Sequence, residues 1–331
     1  MSKTTARSID IHAHAVLDET MGAAGVHGPE LTVAPDGRPL FRVGGYQLHG
    51  VRYRGSPFMD VDRRIEAMDV AGIDYQVLSP NPLTYFHFID APSAIAFCKR
   101  HNEVLAALVA RYPDRLGAFA ALPMQDPVAA AEELSRAVGE YGFLGPYIGT
   151  EFGMRLDDPR LNVLYERCVA LNVPLFLHPA PAGIDGPQAF PPLAGFDLEL
   201  LIGFAAQETI AVGTLIYGGV LDRYPTLDVC VSHGGGAIAF LRGRFAEAAL
   251  KRPWAAAALR EPGAFEQRLR RLWFDNHVHD ARSLELLIEV VGRDRLVLGT
   301  NFAGWDQPAG GQRLEAPAYL ADNARRLLRF S

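Results

Sequence analysis

IDIHAHAV, residues 9–16, decides how the rest of the chain is read. It has the apolar, β-branched character of a buried strand, yet it carries two histidines two positions apart. Residues i and i+2 of a strand share a face, so His12 and His14 point together, either into the interior of a closed sheet or toward the helices around it. The interior is the chemically useful side. The residues that follow, HAHAVLDE, contain no glycine, whereas a doubly wound dinucleotide fold places its glycine fingerprint after the first strand.

Outward from this stretch, seven more short apolar runs read as strands: 74–80, 115–122, 144–150, 173–179, 227–233, 272–277 and 295–301. Segments of helical period separate them, among them DVDRRIEAMDVAG, APSAIAFCKRHNEVLAALVARY, DPVAAAEELSRAVGEYG and DPRLNVLYERCVALN. Several open at Asp and close at Gly, Asn or Pro, as capping requires. Eight strand–helix alternations predict an α/β fold, the (β/α)8 TIM barrel, in one domain over 1–331. Two segments exceed an ordinary connection: the Gly- and Pro-punctuated 15–59, expected to act as a lid, and 179–196. Both emerge where barrel sites are built.

Composition narrows the function. The chain has 331 residues, 49% of them hydrophobic, with a formal net charge of −6. It has no cationic block, so nucleic acid is not an expected partner. MSKTTARSID lacks the apolar core of a signal peptide, and no run reaches the roughly eighteen uninterrupted apolar residues of a membrane span. A soluble, cytoplasmic protein is expected. Cys98, Cys168 and Cys230 have no CxxC spacing and read as core packing.

His178 and His233 end the fifth and sixth predicted strands, which brings four imidazoles to strand C-termini. Neutral imidazoles suit Zn²⁺, Mn²⁺ or Fe²⁺, and three of them leave coordination positions open. His277 and His279 straddle a strand end and are assigned a place in a loop or behind the ligands. His27, His49, His87 and His101 fall in loops or on a helix, His49 being of most interest because it lies in the lid segment.

Taken together, IDIHAH, FLHP, CVSHGGG and VLGTN, with ALPMQDP, LDDPRL and HGGGAIAFLRGR, resemble the amidohydrolase-2 group of the amidohydrolase superfamily, and within it the aminocarboxymuconate-semialdehyde decarboxylase family. The resemblance covers nearly the whole chain. It implies that His12, His14 and His178 bind one divalent metal, zinc in the nearest families and manganese in several aromatic-acid decarboxylases, with His233 as acid/base beside it. It also implies that Arg52 and Arg244 hold a small-molecule carboxylate substrate, one of them donated across a homodimer, with Arg54 the alternative if the register slips. Phe58, Tyr85, Phe86 and Trp305 are candidates for an apolar wall.

The chain departs from the family at one position. Members carry Asp at the end of the eighth strand, where this sequence has Asn301. An amide keeps a coordinating oxygen but removes a negative charge, which weakens metal binding, and it cannot act as a base. Asp306 is the nearest replacement in sequence. Hydrolysis therefore loses ground to non-oxidative decarboxylation of a carboxylated aromatic or muconate-semialdehyde-like molecule by a carbon–carbon lyase. The alternatives are a hydratase or hydrolase on the same scaffold, or a metal-free, non-catalytic descendant.

Overall fold

The structure, a computed structural model, describes residues 3–181, 191–193, 195–302, 304 and 313–330. Its strands are β1 (Ile9–Ala15), β2 (Glu30–Val33), β3 (Pro39–Val43), β4 (Tyr46–His49), β5 (Tyr75–Pro80), β6 (Leu116–Ala118), β7 (Tyr147–Gly149), β8 (Leu175–His178), β9 (Val229–Val231), β10 (Trp273–Asp275) and β11 (Leu296–Val297). Eight of them fall within the predicted runs and are parallel, in the orders β1-β5-β6 and β7-β8-β9-β10-β11. Isolated parallel bridges join the two arcs at both seams, Ala120 to Pro146 at one and Asp10 to Leu298 and Ala13 to Phe302 at the other. Ala120 N donates to Gly145 O at 2.8 Å and Ile11 N to Leu298 O at 3.0 Å. The eight strands thus form a TIM barrel.

The helices are α1 (Val61–Ala71), α2 (Ala91–Val109), α3 (Pro127–Tyr141), α4 (Asn162–Leu171), α5 (Phe204–Tyr217), α6 (Val220–Arg223), α7 (Ile238–Lys251), α8 (Ala264–Leu269), α9 (Ala281–Val291) and α10 (Ala318–Leu328). Asp60, Asp90, Asp126 and Asp280 accept first-turn amide hydrogen bonds at the starts of α1, α2, α3 and α9. Those bonds satisfy donors that a helix start leaves open.

Strand parity sorts the core. Leu175, Leu177, Val229, Val231, Phe274 and Leu296 pack in one cluster with helix residues such as Leu134, Leu164 and Leu215, while Val77, Phe119, Phe176, Cys230 and Val297 fill the barrel. On β1, Ile9 and Ile11 belong to the interior cluster but Ala13 and Ala15 to the outer one. The reversal has a visible cause: Asp10 pairs with Gln76 and Ala13 with Leu78, so β1 carries one extra residue between them. This bulge turns His12 and His14 inward, where an unbroken alternation from Ile9 and Ile11 would point them at the helices.

Asp10, left on the outer side, anchors a buried network. Its carboxylate accepts from Gln76 Nε2 at 2.8 Å and Thr300 Oγ1 at 2.7 Å. Arg64, on α1 and 1% exposed, donates to Gln76 Oε1 at 2.8 Å and to the His14 carbonyl at 2.6 Å. Burial raises the Asp10 carboxyl to about 6 against these hydrogen bonds, and lowers Arg64 to about 9. The Arg64→Met variant strands both acceptors in the core, and urea unfolding is expected to show a loss of about 2–5 kcal/mol.

The segment expected to be a lid contains an antiparallel sheet, β2-β3-β4, that the sequence reading did not anticipate. Each strand is short, and the signals that mark it are its turns, PDG before β3 and Gly44-Gly45 between β3 and β4, with Gly44 at φ 56°. Phe41, Val43 and Tyr53 pack on Leu83, Phe86 and Phe97. Of the second insertion, 182–190 and 194 lie outside the described residues. Cys98, Cys168 and Cys230 are buried free thiols.

Candidate metal centre

His12 and His14 enter the barrel from β1 and His178 from the end of β8, all three buried. Their candidate ligand atoms lie within 4.8 Å of one another, near the ~4 Å span of a nitrogen coordination sphere. Each ring engages an acceptor through Nδ1. His12 Nδ1 meets Asp275 Oδ2 at 2.7 Å, His14 Nδ1 meets Pro80 O at 3.2 Å, and His178 Nδ1 meets Pro179 O at 2.6 Å. Carboxylate and carbonyl oxygens only accept, so Nδ1 carries the proton in each ring and Nε2 is the atom a metal would use. Among the described residues the buried His178 Nε2 has no hydrogen-bond partner, and burial, reinforced by the neighbouring imidazoles, pushes His178 well below the usual histidine range. The donor set fits a divalent cation.

His233 stands beside the triad, its ring centroid 5.0 Å from that of His12 and 4.9 Å from that of His178. It follows β9 with a left-handed φ of 44°, uncommon for a residue with a Cβ. Its Nδ1 donates to Glu208 Oε1 at 2.7 Å, and Ser232 Oγ donates to the same oxygen. Burial raises the Glu208 carboxyl while His233 and these hydrogen bonds hold it down. The HGGG run brings α5, which carries Glu208, this close: a Cβ on Gly236 would sit 2.2 Å from Ala205 O.

Two residues of this site escaped the sequence reading. Glu208 had only one signal, a carboxylate in an apolar helix, and Asp275 was hidden in the strand run LWFDNH. Asp275 also accepts from His277 N at 3.1 Å and Gly234 N at 3.3 Å, tying the ends of β9 and β10 to His12. Asn301, at φ 48° and 7% exposed, borders two cavities of about 560 and 370 Å³ that meet the histidines. His277 lines the smaller one, its ring 5.6 Å from that of His233. Exposed His49 lines neither. Arg52 and Arg244 are likewise exposed and line neither cavity, and Arg54 pairs with Asp18 at 2.9 Å. Of the predicted wall, Phe58 lines the larger cavity, Tyr85 packs in the barrel cluster and Phe86 under the meander. Trp305 and Asp306 lie outside the described residues.

Comparison with known proteins agrees with this architecture. A 2-amino-3-carboxymuconate-6-semialdehyde decarboxylase of Dictyostelium discoideum is 32% identical over 244 residues, 73% of this chain. The chain spans 66% of that relative's length. The solved structure of Metarhizium anisopliae IDCase in apo form matches with a TM-score of 0.80 at 24% identity, covering 99% of this chain and 98% of that one. A dihydroxybenzoic acid decarboxylase of Polaromonas sp. JS666, solved with bound manganese and the inhibitor 2-nitroresorcinol, matches with a TM-score of 0.70 at 23% identity, covering 97% and 96%. An amidohydrolase family model matches residues 9–330. With its histidines converging at the rim of a parallel barrel, the chain belongs to the amidohydrolase family.

Proposed function

We propose that this protein is a metal-dependent, non-oxidative decarboxylase of a small carboxylated aromatic or muconate-semialdehyde-like molecule. The observation that carries this is the pairing of a three-imidazole cluster with the Glu208–His233 dyad. His12, His14 and His178 hold the metal, and three nitrogen donors with an amide in place of a carboxylate favour zinc, with manganese the alternative. When bound, the ion acts as a Lewis acid that polarises substrate oxygens.

The chain's own groups manage the proton. His233 delivers a proton to the carbon that bears the carboxylate, the bond to the carboxyl carbon breaks, its electrons return to the ring or diene, and CO2 leaves. Glu208 holds Nδ1 and stabilises the imidazolium that precedes transfer. Asn301 borders both cavities and cannot serve as a base.

The family model's span supports one domain over 1–331, and the place of Tyr46, Leu48, Val51, Tyr53 and Phe58 in the lining of the larger cavity supports 15–59 as its lid. Buried free thiols suit the reducing cytoplasm. Phe240, 81% exposed at the edge of the smaller cavity and on the same helix as Arg244, supports a homodimer.

Product analysis of the metal-replete enzyme tests the function: CO2 release is expected, and incorporation of solvent oxygen into the product in its place would replace this reading with a hydratase or hydrolase. The Asn301→Asp variant restores an anion to the centre and is expected to tighten the metal by roughly ten-fold or more in chelator competition.

A further inference from the structure

We infer, resting on the ligand set proposed above, that Asp275 is the positioning residue that supplies the metal centre with its negative charge, acting through the His12 ring in place of a carboxylate bound to the ion. Three neutral imidazoles bring no charge to a dication, and the amide of Asn301 brings none either. A buried dication without an anion nearby is costly.

Four carboxylates are buried among the described residues, and their partners tell them apart. Glu133 is bound to Asn102 and Arg136, and Glu208 to Ser232 and His233. Asp10 lies on the outer side of β1, where Gln76 and Thr300 hold it. Asp275 alone of the four meets a ligand ring, with Oδ2 at 2.7 Å from His12 Nδ1 and both side chains fully buried.

Its other oxygen is spoken for: Oδ1 accepts from His277 N at 3.1 Å and from Gly234 N at 3.3 Å. Two amides on one oxygen leave the other aimed at His12. Burial raises the Asp275 carboxyl, while His233, His277 and these two amides hold it down. A carboxylate on Nδ1 keeps that nitrogen protonated, leaves Nε2 to the ion and makes the ring a stronger donor. Packing holds the arrangement in place, because a Cβ on Gly299 would lie 2.7 Å from Asp275 Cβ and 2.9 Å from Oδ2. The glycine two residues before Asn301 thus makes room for the charge that Asn301 lacks.

Asp275→Asn isolates the His12 contact, because the amide oxygen still accepts from Gly234 N and His277 N while an NH2 group takes the place of Oδ2. That group donates to Nδ1 and moves the ring proton to Nε2, the nitrogen the metal needs. The zinc affinity of the full chain, from chelator competition, is expected to fall about 10–100-fold. The visible absorption of the cobalt-loaded protein is expected to change with it, a signature that a merely structural tie between β9 and β10 does not move. Gly299→Ala, whose Cβ pushes the carboxylate off His12 without removing its charge, is expected to lose affinity in the same direction.

The zinc-loaded wild-type protein gives a reading that needs no variant: in proton NMR, His12 Nδ1–H is expected downfield of the ordinary imidazole range and slow to exchange, as a short bond to a carboxylate requires. Unchanged zinc affinity and cobalt absorption in a folded Asp275→Asn protein overturn the inference. Absence of the downfield proton overturns it as well, and decides the matter where neither variant folds. A wild-type chain that binds no divalent ion refutes the ligand set itself. CO2 release is scored separately, since affinity is measured without substrate: the expected loss in Asp275→Asn beside a wild type that releases no CO2 supports this inference and refutes the decarboxylase reading alone.

Discussion

The His178→Ala variant is expected to lose its divalent metal and, with it, all measurable turnover. One of three neutral nitrogen donors disappears, and the remaining pair, His12 and His14, comes from a single strand. Removing a partner behind a metal ligand typically costs roughly 10–100-fold in affinity, so removing a ligand itself costs more than that. The fold is expected to survive, because among the described residues the buried Nε2 has no hydrogen-bond partner and the ring's deletion strands the Pro179 carbonyl alone. Elemental analysis beside circular dichroism checks this outcome. Full metal content in a folded His178→Ala protein would refute the assigned ligand set.

The Glu208→Gln variant is expected to keep its metal and lose about 10²–10⁴-fold in kcat, the range set by losing a positioned acid/base. Glu208 Oε1 holds His233 Nδ1 and the Ser232 hydroxyl together. An amide there is nearly the same size but brings no negative charge to stabilise an imidazolium, and its NH2 group can turn the ring to the wrong tautomer. His233→Asn is expected to fall as far, and the double variant little further, because the two act as one unit. Additive losses in that cycle would mean that Glu208 and His233 work independently. Metal content separates this result from the first: it should be unchanged here.

Much of the fold was written locally. Aspartates at the starts of α1, α2, α3 and α9 and β-branched runs at strand spacing are short-range signals, and the eight barrel strands sit where those signals put them. The meander in 15–59 was harder to see because strands of four or five residues hold too few alternations to rise above their turns. Within the site, histidines at strand ends stood out as polar residues in apolar runs. Glu208 and Asp275 did not, since a lone carboxylate in an apolar segment says nothing about which distant ring it will meet.

What the sequence determined by itself is the order of strands and helices and the placement of His12 and His14 in the first strand and of His178 and His233 at or just after strand ends. What the tertiary structure decided is direction and partnership. Period-two alternation fixes that His12 and His14 point together but not which way, and the answer depends on one extra residue in β1 that becomes visible only when Asp10 and Ala13 are paired with Gln76 and Leu78. In the same way, Asp275 and Glu208 acquired roles only when barrel closure brought them to rings 263 and 25 residues away, because hydrogen bonds act through space and the chain records only separation along itself.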